Sequence, residues 1–176
     1  MGWTSGEGNA LPRIGVTGHV HLTPDSEPLI YRAIVAALGP YTGAGLVGMS
    51  CIARGADSIF AQAVLDLGGR LEVVVPAQDY RDTVCAEHAA HFDALLARAA
   101  EVRVMSYDES GRDAYEAASR HLVTRADHLI AVWDGQEEAG PGNTSSAVRF
   151  ARAAGVPVTV VWPAGATRSG CPAERG

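Results

Sequence analysis

The sequence predicts one doubly wound, Rossmann-like α/β domain: a parallel sheet of about six strands with helices on both faces. Short apolar runs alternate with stretches of helical spacing along nearly the whole chain. The runs are continuous, as in Val73-Val74-Val75, which is how strands covered on both faces read. A length of 176 residues with 47% hydrophobic content suits one core rather than two.

Taken in order, strands are expected at Ile14–Thr17, Leu46–Ser50, Leu71–Val75, Val102–Met105, Leu129–Trp133 and Val158–Trp162. The segments 26–38, 56–67, 86–100, 113–125 and 144–154 between them place Ala, Leu, Ile and Val at i, i+3 and i+4, the spacing of one helix face. Gly39, Gly68 and Gly155 are expected to stop three of these helices. Residues 1–12 and 164–176 are rich in glycine and small polar residues without a period, so they are expected to be flexible tails around a domain at 13–163.

All 14 basic residues are arginine. With no lysine, Schiff-base chemistry, a pyridoxal phosphate anchor and a Walker-type phosphate lysine are excluded. The net charge of -6 repels nucleic acid on average, so nucleic-acid binding is not expected unless arginines such as Arg81, Arg98, Arg112 and Arg120 gather on one face. No apolar run reaches the roughly 20 residues of a membrane span, and no secretory leader is visible; a soluble cytoplasmic protein without a membrane partner is expected. Cys51, Cys85 and Cys171 are odd in number and widely spaced, as befits free thiols rather than a disulfide framework.

In a doubly wound sheet, ligands bind beyond the carboxyl ends of the strands, so the loops that follow strands are the places to search. The first strand runs into Thr17-Gly18-His19 and the second into Ser50-Cys51-Ile52-Ala53-Arg54-Gly55-Ala56-Asp57. The fifth runs into Asp134-Gly135 and, further on, Gly142-Asn143-Thr144-Ser145-Ser146. Helix N-termini carry unpaired N–H groups and partial positive charge, so Gly55 and Gly142 to Ser146 are two candidate anion sites, with Arg54 a guanidinium clamp beside the first. The same residue types are also ordinary caps and turn formers. A dinucleotide fingerprint is not met, because only Gly15 and Gly18 precede the first helix.

His19 and His21 form an HxH pair, and Cys85, His88 and His91 share a helix, but the latter spread too widely around the helix for one ion. No metal and no cofactor is expected; His88 and His91 are expected in solvent and Cys85 packed. Trp133 and Trp162 are expected in the core or the cleft wall, and Glu137-Glu138 as a solvated pair.

Four segments together resemble the SLOG superfamily, which groups the DNA-processing protein A fold with the Lonely Guy proteins. They are Ile14-Gly15-Val16-Thr17-Gly18-His19, Ser50 to Asp57, Ala126 to Gly135, and Gly142-Asn143-Thr144-Ser145-Ser146-Ala147-Val148. The resemblance implies a bacterial-type domain that binds a nucleotide or nucleotide-derived ligand between these loops, often as a homodimer. Lonely Guy proteins carry a PGGxGTxxE signature with a catalytic glutamate. Laid on Pro141 to Arg149, it puts Asn143 at the second glycine, Ser145 at the third, Ser146 at the threonine and Arg149 at the glutamate. Glycosidic cleavage needs a carboxylate, which leaves Asp57 and Asp134 as the candidates for a nucleoside monophosphate N-glycosidase. Single-stranded DNA binding, as in DNA-processing protein A, is the third reading that the resemblance implies.

Overall fold

A computed structural model describes residues 10–169. Six strands, β1 (Arg13–Gly18), β2 (Val47–Ser50), β3 (Arg70–Val75), β4 (Glu101–Val104), β5 (His128–Val132) and β6 (Val158–Val161), form one sheet in the order β4-β3-β2-β1-β5-β6. Every pairing is parallel. The helices are α1 (Glu27–Thr42), α2 (Ala56–Asp66), α3 (Tyr80–Thr83), α4 (Ala86–Arg98), α5 (Arg112–Arg125) and α6 (Thr144–Ala153).

Residues of period two divide the strands between the two helical layers. Ile14, Val16, Ile130 and Val132 meet Ile30, Ile34 and Leu38 of α1 and Phe60 and Val64 of α2. The opposite face sets Met49 and Leu129 against Leu122 and Val123 of α5 and Ala151 of α6. Leu71, Val73 and Val75 pack with Phe92 and Leu95 of α4. Strand order reverses between β1 and β5, so the loops following those two strands part there and open the crevice at the carboxyl edge.

The structure corrects three expectations about element ends. α1 does not stop at Gly39 but continues through Pro40 to Thr42 and is followed by Gly43. Tyr41 packs on the core and against the His128 ring, so that burial holds the last turn helical. A single-turn helix, α3, stands where a loop was expected and carries Tyr80 into the core. Residues 164–169 do not leave the domain as a tail. Leu22 and Arg168 form an antiparallel bridge, Thr23 N donates to Thr167 O, and Ser169 N donates to His21 O. The expected N-terminal tail through residue 9, and residues 170–176 with Cys171, lie outside the described residues.

Candidate functional site

The crevice at the switch point is a cavity of about 960 Å³. Thr17, Gly18 and His19 border it from β1, Cys51, Arg54 and Asp57 from the β2–α2 turn, Tyr80 from α3, and Gly142, Asn143 and Thr144 from the entry to α6. The expected loops therefore converge on one space.

Its two sides are built differently. On the β1–β5 side, His19 is 5% exposed; its Nε2 lies 3.1 Å from Asp134 Oδ1 and 3.2 Å from Asp134 N, while Nδ1 faces the Arg168 guanidinium at 3.4 Å. Burial and the neighbouring Arg168 charge lower the His19 pKa and favour the neutral ring. Asp134 also accepts from Gln136 N at 3.0 Å and pairs with Arg168 at 2.8 Å. Burial would raise its carboxyl, but these hydrogen bonds and the arginine outweigh it and hold the pKa below the ordinary value. Arg168 reaches Glu138 at 3.0 Å as well, so Glu138 is an ion-pair partner at the rim rather than a solvated charge. Glu137 pairs with Arg149 at 2.7 Å.

The turn after β2 also closes on itself. Ser50 is fully buried; its hydroxyl accepts from Ile52 N and donates to Asp57 O, which shapes the turn. Gly55 has φ 86°, and a Cβ there would lie 2.5 Å from Val20 O and 2.6 Å from His19 O. Only glycine fits under that crossing chain. Ala56 N, at the start of α2, donates to His19 O. At the expected Gly55 anion site the chain after β1 thus crosses close over the turn and already takes the Ala56 N–H. Arg54 lies at the cavity margin, half exposed, with its guanidinium 3.6 Å from Glu87 and 4.0 Å from Cys85 Sγ.

The entry to α6 keeps free donors. Asn143 caps the helix, its Oδ1 accepting from Ser146 N at 2.9 Å while Ser146 Oγ accepts from Asn143 N. Asn143 Nδ2 donates to the carbonyls of Ala139 and Gly140, and Ser145, fully buried, bonds to Glu138 and Asn143. Gly142, at φ 77°, makes the turn that brings the chain into this cap. Thr144 N and Ser145 N, the first two N–H groups of the helix, have no acceptor among the described residues. Thr144 lines the cavity and is 6% exposed; its hydroxyl makes no hydrogen bond among the described residues and, since no buried polar side-chain atom there lacks a partner, it is reached by solvent from the cavity.

On the cavity floor lies Asp57. Burial raises its carboxyl pKa to about 7, opposed only by a hydrogen bond from Ala53 N–H. Cys51 and Tyr80 lie close enough for their pKa values to be raised with it, burial being the larger cause for both. Of the two candidate carboxylates, Asp134 is tied into ion pairs and Asp57 is open to the cavity. Arg149, at the position of the Lonely Guy glutamate, borders an adjoining groove of about 460 Å³ between α5 and α6.

On the helix of Cys85, His88 and His91, His91 is exposed as expected, but the other two are reversed: His88 is buried, its Nε2 3.1 Å from Ser58 Oγ and 3.2 Å from Ile52 O, and Cys85 is exposed. Packing of α4 on α2 turns His88 inward. Trp133 is buried with its indole N–H on Gln136 O, and Trp162 meets the His19 ring edge-on at 5.6 Å. Sequence reasoning missed Tyr80 and Arg168. A lone tyrosine in the loop after β3 was a usable signal, since that loop opens at the same sheet edge. Nothing local marks Arg168.

In structure the chain is similar to DNA processing protein A from Streptococcus pneumoniae, with TM-score 0.63, 16% identity, and coverage of 87% of this chain and 51% of that one. It thus spans about half the length of that protein. It is also similar to DNA processing protein A from Helicobacter pylori, described for its single-stranded DNA binding mode, at TM-score 0.60 and 15% identity over 90% of this chain and 69% of that one. A third likeness is the molybdenum cofactor binding protein from the phototrophic bacterium Rippkaea orientalis, at TM-score 0.55 and 19% identity over 86% of this chain and 76% of that one. No protein-family model and no curated protein matches the sequence. The likeness shows that the chain shares the fold of these proteins, the parallel α/β fold that the sequence predicts. Among the described residues no helix is long and apolar enough to cross a membrane.

Proposed function

We propose that the crevice binds a nucleotide or nucleotide-derived phosphorylated ligand, with the phosphate at the N-terminus of α6. The observation that carries this reading is Thr144. A solvent-reached hydroxyl on the cavity wall, beside two N–H groups without a protein acceptor among the described residues at the positive end of a ten-residue helix, is a set of donors that a phosphate can take over from water. Gly142 lets the loop pack against the start of α5, and Asn143, Ser145 and Ser146 hold the loop in that shape. Thr17 and Gly18 border the sugar, His19 and Asp134 brace the wall behind it, and Gly135 turns the chain away. Arg54 adds charge at the margin. Ser50 and Gly55 serve the turn from which Arg54 and Asp57 project.

Calorimetric titration with ribose 5-phosphate, AMP and GMP tests the reading. Binding is expected for all three, and Thr144→Val should weaken it by about tenfold, the equivalent of roughly 1.4 kcal/mol for a hydrogen bond to a charged group. Arg54→Ala should weaken it by a similar factor, less at high salt. Absence of binding by every phosphorylated probe overturns the proposal. Single-stranded DNA is the second reading, supported by the fold shared with DNA processing protein A. Two of the arginines it needs are already engaged, Arg81 with Asp93 at 2.6 Å and Arg120 with Glu116 at 2.9 Å. A band shift with oligonucleotide that weakens steeply with salt, without binding of the small probes, would favour it.

A further inference from the structure

Asp57 is a carboxyl group that lines the cavity, and among the described residues it forms no ion pair with an arginine or histidine. Its neighbours there are the Cys51 thiol and the Tyr80 hydroxyl, both uncharged groups. Tyr80 is 8% exposed, and its hydroxyl has no hydrogen-bond partner among the described residues. The Tyr80 ring meets the Tyr115 ring edge-on at 6.1 Å, giving this end of the cavity an aromatic wall. Of the other charged and titratable groups that border the cavity, His19 is bonded to Asp134, Arg168 pairs with Asp134 and Glu138, Arg54 faces Glu87, and His88 is held by Ser58 and Ile52 O, while Cys85 is exposed and His21 also lines the space. Besides the donors at the entry to α6, the cavity thus presents a carboxyl whose neighbours Cys51 and Tyr80 are uncharged, and an aromatic wall of Tyr80 and Tyr115.

We propose that Asp57, as a neutral carboxylic acid, recognises the ligand's heterocycle through two hydrogen bonds to an N=C–NH2 edge of the adenine or cytosine kind, with Tyr80 beside it. A protonated carboxyl has one donor and one acceptor side by side, which is the complement of a ring nitrogen next to an exocyclic amine. A carboxylate offers acceptors only, and pairs with the adjacent N–H groups of a guanine-type edge instead. Burial without a cation favours the neutral form. This inference rests on the reading of the crevice as a nucleotide site and adds which bases it takes.

The test is titration of the full chain with AMP, GMP and ribose 5-phosphate at pH 6 and pH 8. Ribose 5-phosphate carries the titrating phosphate without a base, so the ratio of AMP affinity to ribose 5-phosphate affinity isolates the base. With the Asp57 pKa at about 7, that ratio should fall by about tenfold between pH 6 and pH 8, because at the higher pH binding must first protonate the carboxyl. AMP should exceed GMP at pH 6, with the preference shrinking as pH rises. Asn carries the same donor and acceptor without titrating, so Asp57→Asn should remove the pH trend of the ratio, and Asp57→Leu should remove the gain that the base provides. An AMP ratio equal to that of GMP at both pH values, or the same trend in Asp57→Asn, overturns the inference while leaving the phosphate site in place. Failure of ribose 5-phosphate to bind at all overturns the underlying reading instead.

Discussion

The two sides of the crevice are made of similar residues put to opposite uses. On the β1–β5 side, His19, Asp134, Glu138 and Arg168 satisfy one another, and the N-terminus of α2 is closed by the His19 carbonyl. On the α6 and α2–α3 side, Thr144, Tyr80 and Asp57 line the cavity, and among the described residues their side chains have no protein partner other than Ala53 N–H on Asp57. A hydrogen bond already made inside the protein contributes to folding and has little left for a ligand. Unmade bonds at the edge of a cavity contribute nothing to folding, and the free energy becomes available when a ligand arrives. Conserving residue type across the two sides would hide this contrast; only the partners reveal it.

The contrast is sharpest where the two sides should respond in opposite directions to losing a carboxylate. Asp134→Ala removes the group that joins His19, Gln136 N and Arg168, and should destabilise the fold by about 3 kcal/mol in urea denaturation at pH 7. A loss below about 1 kcal/mol would mean that this side is no tighter than the other. Asp57→Asn should do the reverse. The folded-state pKa of about 7 lies above the ordinary 3.8, so the folded protein holds a proton that the unfolded chain gives up between those values. Ionised Asp57 therefore weakens the fold progressively from pH 4 upward and fully above pH 7. At pH 8 the asparagine variant should be more stable by about 2 kcal/mol, and at pH 3 the two should be alike.

Thr144→Val comes next in size: about tenfold in ligand affinity, with a change in stability under about 0.5 kcal/mol, because the hydroxyl has no partner to lose. The smallest effect belongs to His19. Its lowered pKa makes the folded state prefer the neutral ring, so its contribution is complete above pH 6.5 and is lost as pH falls toward the folded value. Stability measured from pH 7 down to pH 5 should decline, and His19→Gln should make that decline shallower. An unchanged slope would break the assignment of His19 to the self-satisfied side.

Much of this architecture was legible in the chain. The six apolar runs became the six strands within a residue or two, because a strand buried on both faces has no freedom to carry polar side chains. Loops placed after β1, β2 and β5 met at the crevice because a parallel sheet delivers all its strand ends to one edge. β4 departs from the others: its four residues are all exposed, and only its neighbours in sequence show it to be an edge strand. Gly55 and Gly142 read alike locally, each before a helix, yet one lies under the chain that follows β1 and the other against the start of α5.

The sequence by itself determined the fold class, the order of elements and the sheet edge at which a ligand would bind, since these follow from hydrophobic periodicity and chain connectivity. Tertiary structure alone decided which helix N-terminus is open, that Arg168 returns over the crevice to hold Asp134, and that Asp57 is left without a cation. Hydrogen-bond satisfaction and desolvation depend on atoms that are distant in the chain, Arg168 being 149 positions from His19, and no local pattern carries that information.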